Sequence, residues 1–118
     1  EAREMSQPVW ILKKSELSTG SVRRFDVCGN PLAIYNLDGT FYATDDGCTH
    51  ATASLSEGEI VDDDCIACPV HNGMFHIPSG QAMSFPCEKA LRTYKVIDQG
   101  DSVAIDIHAE ADAASDMI

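Results

Sequence analysis

Short runs of apolar, β-branched and aromatic residues recur along the chain, and long helical repeats do not. The run SVAIDI near the end alternates cleanly, with Val103, Ile105 and Ile107 predicted on one strand face and Ala104 and Asp106 on the other. Such runs predict an all-β fold. The further strand candidates are VWIL (9–12), RFDV (24–27), LAIYNL (32–37), TFYAT (40–44), EIV (59–61), CIA (65–67), MFHI (74–77) and RTYKVI (92–97).

Turn residues separate these runs. Asp38-Gly39 lies between two β-rich runs and predicts a tight hairpin. Gly29, Asn30 and Pro31 predict the preceding turn, and the segment DQGD at 98–101 predicts another hairpin. The chain therefore begins and ends in antiparallel β-structure.

A Gly-, Ser- and Asp-rich region from about 45 to 86 interrupts the hairpins and holds only short strand candidates. An irregular stretch of this length inside one compact domain usually serves a function. We therefore expect one domain over 9–107, with its functional region at 45–86, an N-terminal extension at 1–8 and an acidic tail at 108–118. Met5 is a candidate native start, which would make 1–4 foreign to the natural protein.

The charge is strongly negative and unevenly distributed. The net charge is −11, and no Lys or Arg occurs from Phe25 through Glu88. Such a surface disfavours nucleic acid and anionic membranes, and no apolar run is long enough to span a bilayer. It either keeps the protein soluble or attracts a partner with a basic patch. The acids of the central region are Asp45, Asp46, Glu57, Glu59, Asp62, Asp63, Asp64 and Glu88.

The five cysteines do not suggest a disulfide framework. Their number is odd, and no secretory leader opens the sequence. We therefore expect reduced or metal-bound thiols and a cytoplasmic protein.

Cysteine and histidine occur together twice, as Cys48-x-His50 and, after seventeen intervening residues, as Cys68-x-x-His71. Structural zinc sites usually combine Cys-x2-4-Cys with His-x3-5-His pairs, which fits poorly. Blue copper uses one cysteine and two histidines and leaves one thiol unexplained. A [2Fe–2S] centre with two cysteines on one iron and two histidines on the other uses all four residues.

The double motif resembles that of Rieske-type proteins. The segments DGTFYATDDGCTHATASLSEGEI, CPVHNGMFHIPSG and LRTYKV are similar to the small ferredoxins of bacterial aromatic ring-hydroxylating dioxygenase systems, over roughly 9–107. The resemblance implies stacked small antiparallel sheets and a cluster-binding subdomain formed by two loops. It implies one [2Fe–2S] cluster held by Cys48, His50, Cys68 and His71, with the histidines facing solvent.

The resemblance also implies a function. Such a ferredoxin is a monomeric one-electron carrier, not itself an enzyme, between an NAD(P)H-dependent flavin reductase and a terminal oxygenase, bound through transient electrostatic contacts. Two alternatives remain: the small Rieske-like subunit of an assimilatory nitrite reductase, and a zinc-stabilised binding module.

Four residues within or close to the double motif bear on the reduction potential. High-potential Rieske proteins carry a disulfide at the positions of Ala53 and Val70, and Ser and Tyr hydroxyls at those of Gly73 and Phe75. Fewer donors to sulfur and more negative charge disfavour reduction. We therefore expect a potential near the low end of the Rieske range, about −150 mV.

The remaining candidates have simpler interpretations. We expect Cys65 to be a buried small side chain, Cys28 and Cys87 to be free thiols, His76 to be structural or on the surface, and His108 to be solvated. Pro69, Gly47, Gly58 and Gly73 are expected to shape the two loops; Trp10, Phe41, Tyr42 and Tyr94 are expected in the core or on sheet surfaces.

Overall fold

A computed structural model describes residues 8–48, 53–70, 73–83, 89–107 and 109. The predicted all-β fold is confirmed, because these residues form nine strands and two single 3-10 turns. Most of the predicted extension and tail (1–7, 108 and 110–118) lie outside the described residues. The strands are β1 Val9–Lys13, β2 Ser21–Val27, β3 Asn30–Leu37, β4 Thr40–Asp45, β5 Glu59–Val61, β6 Cys65–Ala67, β7 Met74–His76, β8 Thr93–Asp98 and β9 Ser102–Asp106, and the 3-10 turns are Lys14–Glu16 and Leu55–Glu57.

The strands form two antiparallel sheets. The large sheet has six strands in the order β1-β9-β8-β4-β3-β2, and the small sheet has three in the order β5-β6-β7. The small sheet is inserted between β4 and β8, which are neighbours in the large sheet. The region predicted as irregular thus contains a second, smaller sheet with its connecting loops. No helix in the described part of the chain is long and apolar enough to cross a membrane.

The turns follow the predicted chemistry with one correction. Asp38 and Gly39 form the predicted hairpin turn with φ values of 56° and 93°. The preceding turn was predicted to include Asn30 and Pro31, and that was wrong. Both residues belong to β3, and the turn consists of Cys28 and Gly29, whose φ values are 52° and 84°. A two-residue turn with both φ values positive matches the twist of the paired strands, so the longer turn is not needed.

The side chains of β3 pack on both faces. Leu32 and Ile34 belong to the large-sheet core, whereas Ala33 and Tyr35 belong to the loop-side core between β3 and the small sheet. A strand covered on both sides has a continuous apolar sequence, which explains LAIY. The large-sheet core is Ile11, Leu12, Leu17, Val27, Leu32, Ile34, Phe41, Ala43, Tyr94, Val103 and Ile105, and the loop-side core is Ala33, Tyr35, Leu55, Ile66, Cys68, Phe75, Ile77 and Leu91.

In β9 the alternation of residues predicts the two strand faces correctly but not the burial of both. Val103 and Ile105 lie in the large-sheet core with Ile107 packed against it, as predicted. Ala104 and Asp106, on the opposite face, are buried as well. The sequence therefore gives the correct face for each residue but does not show that both faces are covered.

Tyr94 connects the two parts of the large sheet. Strands β4 and β8 share only two paired positions, Ala43 with Tyr94 and Thr44 with Thr93. The Tyr94 hydroxyl donates to Asp45 Oδ1 at 2.5 Å, and the Asp45 amide donates to the Arg92 carbonyl at 3.0 Å. These bonds supplement a short strand pairing at the end of β4, where the predicted functional region (45–86) begins.

The other aromatic residues behave as expected. Tyr94 and Phe41 are buried in the large-sheet core, and Tyr42 is half-buried. Trp10 lies on the surface of edge strand β1 and is 55% exposed. Core and sheet-surface positions for these four residues are therefore confirmed.

The Tyr94–Asp45 bond predicts instability in alkali. Burial, together with the bond to Asp45, raises the pKa of Tyr94 from 10.0 to about 12. A group whose pKa is higher in the folded state contributes stability that is complete below its unfolded pKa and is lost as the pH rises through the folded value. We therefore expect the free energy of unfolding, measured by chemical denaturation, to decrease between pH 10 and about 12.

The substitution Tyr94→Phe should lower the stability at neutral pH by about 1–2 kcal/mol, because a hydrogen bond to a carboxylate is lost. It should also make the alkaline decrease less steep. Burial raises the pKa of Tyr35 too, so part of the decrease should persist. The half-buried Tyr42 provides the control Tyr42→Phe. An alkaline profile identical in Tyr94→Phe and the wild type would contradict this role.

Candidate metal centre

Two loops carry the cysteines of the motif, and both are closed in the same way. The Cys48 amide donates to the Ala53 carbonyl at 3.0 Å, and the Cys68 amide donates to the Gly73 carbonyl at 2.7 Å. In each case the acceptor lies five residues beyond the cysteine. A main-chain hydrogen bond therefore closes each loop. The first loop follows β4, and the second joins β6 to β7.

The two predicted thiol ligands meet in space. The Cys48 and Cys68 side chains are neighbours that interact with each other. Cys68 is fully buried in the loop-side core, and Cys48 packs against the same core. The Val70 amide donates to Cys68 Sγ at 3.5 Å. Residues twenty positions apart in sequence are thus brought together by the packing of the two loops.

The protonation of this pair indicates what it can bind. Burial, and next the adjacent Cys48, raise the pKa of Cys68, whereas the Val70 N–H lowers it. Two adjacent thiolates, one of them buried, are therefore unfavourable unless a cation compensates their charge. A thiophilic metal centre supplies that charge and deprotonates its cysteine ligands. The donor set fits iron–sulfur ligation on the side that the structure describes.

The two predicted histidine ligands, His50 and His71, lie outside the described residues, as does Cys87. Their role as ligands stays a prediction. Within the described ranges, which lack both of these histidines, no three His, Cys, Asp or Glu side chains form a metal-binding group.

The surroundings of the thiols are apolar. Ala53 and Val70, the positions at which the resemblance to high-potential Rieske proteins places a disulfide, pack against the loop-side core. Phe75 is fully buried, and the Gly73 carbonyl is engaged by the Cys68 amide. Side-chain hydroxyls are thus absent from the two positions at which the Rieske resemblance places sulfur-bonding donors.

His76 has a structural role. Its Nδ1 lies 2.7 Å from Ser79 Oγ and its Nε2 lies 3.2 Å from Asp64 Oδ2. The Cys65 thiol donates to the other Asp64 oxygen at 3.6 Å and is buried, as predicted. Burial, and next Asp64, raise the pKa of this thiol. Cys65 pairs with His76 at the open end of the β6–β7 hairpin, whereas Cys68 lies at the loop end. Neither Cys65 nor His76 therefore belongs to the site formed by the Cys48 and Cys68 thiols.

Two of the described cysteines, Cys28 and Cys65, lie outside the pair formed by Cys48 and Cys68. Cys28 is an exposed free thiol in the β2–β3 turn, as predicted. No disulfide joins the four cysteines that the structure describes.

The acidic residues are not all on the surface. Glu57, Glu59, Asp62 and Asp63 are exposed, but Asp46 is only 2% exposed. Nothing in the sequence distinguishes Asp46, because it lies directly beside a second acid, Asp45. The exposed acids belong to the small sheet and its connections, where a cleft of about 650 Å³ is lined in part by Asp38, Asp62, Asp63 and Asp64.

A comparison with known families identifies the protein class. The family model described as the Rieske [2Fe-2S] domain matches residues 7–95. The chain belongs to the Rieske [2Fe-2S] family. An iron–sulfur cluster is the cofactor of this domain, in agreement with the paired thiols.

Relatives of this Rieske chain include named ferredoxins. Ferredoxin CarAc of Metapseudomonas resinovorans is 42% identical over 91 residues, which cover 75% of this chain and 84% of that protein. The ferredoxin component of the p-cumate 2,3-dioxygenase system of Pseudomonas putida is 36% identical over 110 residues, covering 92% and 93%. Both relatives are named as ferredoxins, the second as a component of a dioxygenase system.

Solved structures agree with the Rieske assignment. The ferredoxin of carbazole 1,9a-dioxygenase from Nocardioides aromaticivorans IC177 superposes with a TM-score of 0.81 at 30% identity, covering 85% of this chain and 97% of that one. A chain of the complex of reduced oxygenase and oxidized ferredoxin in carbazole 1,9a-dioxygenase gives a TM-score of 0.79 at 38% identity, covering 85% and 93%. The stacked antiparallel Rieske fold is thereby confirmed.

A substitution at Gly58 tests the close packing of this residue against Ala67, next to the Rieske ligand candidate Cys68. A Cβ atom on Gly58 would lie 2.0 Å from the Ala67 carbonyl oxygen, immediately before Cys68. The obstacle is backbone, so the strand itself must shift. We expect Gly58→Ala to lower the free energy of unfolding by about 2–4 kcal/mol, measured by denaturant titration.

Gly47 provides the matched control for that substitution. It lies at the entrance of the first loop, and a Cβ there would meet no atom of the described residues within 4 Å. Gly47→Ala should therefore change stability by less than about 1 kcal/mol. Equal effects of the two substitutions would argue against the close approach at Gly58.

Proposed function

We propose that this protein is a Rieske ferredoxin that carries single electrons from an NAD(P)H-dependent flavin reductase to the terminal oxygenase of an aromatic ring-hydroxylating dioxygenase. The observation that carries the proposal is the contact between the Cys48 and Cys68 thiols, in a chain similar throughout most of its length to ferredoxin components of such systems. The similarity to a chain of an oxygenase–ferredoxin complex supports the oxygenase as a partner.

We assign four ligands to the cluster. Cys48 and Cys68 bind one iron, and His50 and His71 bind the other. Their spacing supports this assignment, because each histidine follows its cysteine within a loop that the main chain closes. When bound, the [2Fe–2S] cluster supplies one-electron oxidation and reduction. The domain holding it extends over 9–107, with the cluster-binding region at 45–86, an extension at 1–8 and an acidic tail at 108–118; the family match at 7–95 supports its core.

The residues of the chain contribute geometry and charge. The buried Cys68 keeps water away from one side of the site, and the Val70 N–H favours its thiolate form. Gly73 and Phe75 supply no hydroxyl donors to sulfur, and the small sheet carries exposed acids. These features favour a reduction potential near the low end of the Rieske range, about −150 mV.

The acidic surface of the small sheet supports transient docking. Such a surface accelerates encounter with a basic patch on a partner without requiring a large interface. We infer a cytoplasmic monomer that meets the reductase and the oxygenase in turn.

A fixed subunit of a nitrite reductase is the second candidate. A putative nitrite reductase small subunit superposes with a TM-score of 0.72, but its identity of 21% supports a common fold alone. The complete Cys/His motif and the named ferredoxin relatives favour the shuttle.

Substitutions of the ligands test the cofactor. Cys48→Ser should abolish the cluster, because one thiolate is lost from a two-thiolate iron. His50→Cys should retain some cluster at a lower potential, because a charged thiolate replaces a neutral ring. The control Cys65→Ala removes a buried thiol that lies outside the site and should keep full iron. Iron and sulfide per chain, electron paramagnetic resonance (EPR) of the reduced protein and redox titration provide the measurements.

A brown wild-type protein with a midpoint near about −150 mV would fit the assignment. A colourless protein with one zinc per chain would refute it, and a clearly positive midpoint would contradict the proposed tuning.

Charge substitutions test the docking role. Asp62 and Asp63 are exposed and line the acidic cleft. The double variant Asp62→Asn with Asp63→Asn should slow electron transfer from a flavin reductase several-fold at low salt, and raised salt should slow the wild type towards the same rate. Stopped-flow reduction of the ferredoxin measures both effects.

The control variant is Asp26→Asn with Asp101→Asn. It changes the net charge equally, on exposed residues of the large sheet and its β8–β9 turn. It should leave the rate nearly unchanged. Equal slowing by both double variants would indicate dependence on net charge alone, and a salt-insensitive stable complex would favour a fixed subunit.

A further inference from the structure

Asp46 is a buried acid at the entrance of the first loop. It is 2% exposed and lies two residues before Cys48. Burying a carboxyl group is costly unless the protein provides hydrogen bonds to it. A buried Asp in a chain with many exposed acids therefore points to a specific structural task.

Asp46 joins three segments. Its Oδ1 accepts the Ser56 amide at 2.9 Å, its carbonyl accepts the Leu55 amide at 2.7 Å, and its amide donates to the Pro31 carbonyl at 3.0 Å. Leu55 is fully buried in the loop-side core. The bond between its amide and the Asp46 carbonyl therefore attaches the first loop to the core.

These bonds continue inward towards Cys48. Gly47 forms an antiparallel bridge with Ser54, and the Cys48 amide bonds to the Ala53 carbonyl. Together they form a short ladder that closes the first loop, with Cys48 as its innermost position. The Asp46–Ser56 bond is the outer rung, and it is made by a side chain.

The second loop is held differently. It lies at the end of the β6–β7 hairpin, where Ala67 pairs with Met74 as part of a regular strand ladder. Strand pairing thus continues up to the residue before Cys68. The first loop has no such hairpin beneath it, because β4 precedes it and a 3-10 turn follows it.

We propose that Asp46 is a positioning residue for the iron–sulfur centre. Its carboxylate holds the first loop closed through the Ser56 N–H and thereby fixes the position of Cys48 relative to Cys68. This inference rests on the assignment of Cys48 and Cys68 as cluster ligands. The required property is an acceptor oxygen at the Oδ1 position, which an asparagine also provides.

A substitution of Asn36 serves as the control that distinguishes a positioning role of Asp46 from a contribution to stability alone. It is also buried; its Nδ2 donates to the Leu17 carbonyl at 2.7 Å, and its Oδ1 accepts the Gly39 amide at 2.8 Å. It lies at the β3–β4 turn end of the large sheet, at the opposite end of β4 from the first loop. Asn36→Ala therefore removes a comparable buried polar anchor that does not lead to a ligand.

The experiment compares Asp46→Ala, Asp46→Asn, Asn36→Ala and the wild type, each purified with its cluster. The readouts are the EPR g values of the reduced protein, the reduction potential, the half-life of the cluster in a chelator, and the unfolding temperature. We expect Asp46→Ala to shift the g values and the potential and to shorten the chelator half-life at least about fivefold, because Cys48 is no longer fixed. Asp46→Asn should restore all three, since it keeps the acceptor.

Asn36→Ala should lower the unfolding temperature and leave the g values and the potential unchanged. The proposal is overturned if Asp46→Ala lowers only the unfolding temperature, or if Asp46→Asn fails to restore the spectrum. Should Asp46→Ala not fold, Asp46→Ser gives the same comparison, because its shorter side chain withdraws the acceptor from Ser56. A wild type without iron would instead refute the proposed function, and this inference with it.

Discussion

The contact between the buried Cys68 thiol and the half-buried Cys48 thiol is the constraint on which the rest of the site depends. Cys48 and Cys68 come from separate loops and meet against the loop-side core. Neutral thiols can share this place, but thiolates need a compensating positive charge. The fold therefore provides a location at which ionisation and metal binding are coupled. The two loop closures and the packing around Leu55, Ile66 and Phe75 all maintain this contact.

The sequence predicts the strands well because their periodicity and turn chemistry are local. Asp38-Gly39 is sufficient to specify a two-residue turn, and SVAIDI shows its core-facing side directly. The turn at Cys28 and Gly29 was misplaced because Asn30 and Pro31 are typical turn residues that here begin a strand. Asn30 and Pro31 belong to the strand because they pair with Val27 and Asp26, and local composition does not reveal that pairing.

The site was predictable only in part, for a related reason. The spacing of Cys48 and Cys68 identifies both thiols, since the ligand chemistry restricts residue type and order. The burial of Asp46 was not predictable, because the sequence run DD gives both acids the same appearance. Which of two adjacent carboxylates faces inward depends on the Ser56 amide, ten residues further along the chain. Likewise, Asp64 holds both His76 and Cys65 through tertiary contacts that no motif encodes.

The small sheet leaves and rejoins the large sheet at neighbouring strands. Thr44, near the exit, is paired with Thr93, near the return. An insertion whose two ends are adjacent imposes little strain on its host, because the host strands would be neighbours without it. The segment between β4 and β8 can consequently be exchanged as a unit, in evolution or by engineering, without a change in the large sheet. Such an exchange would alter the choice of partner and the electron affinity.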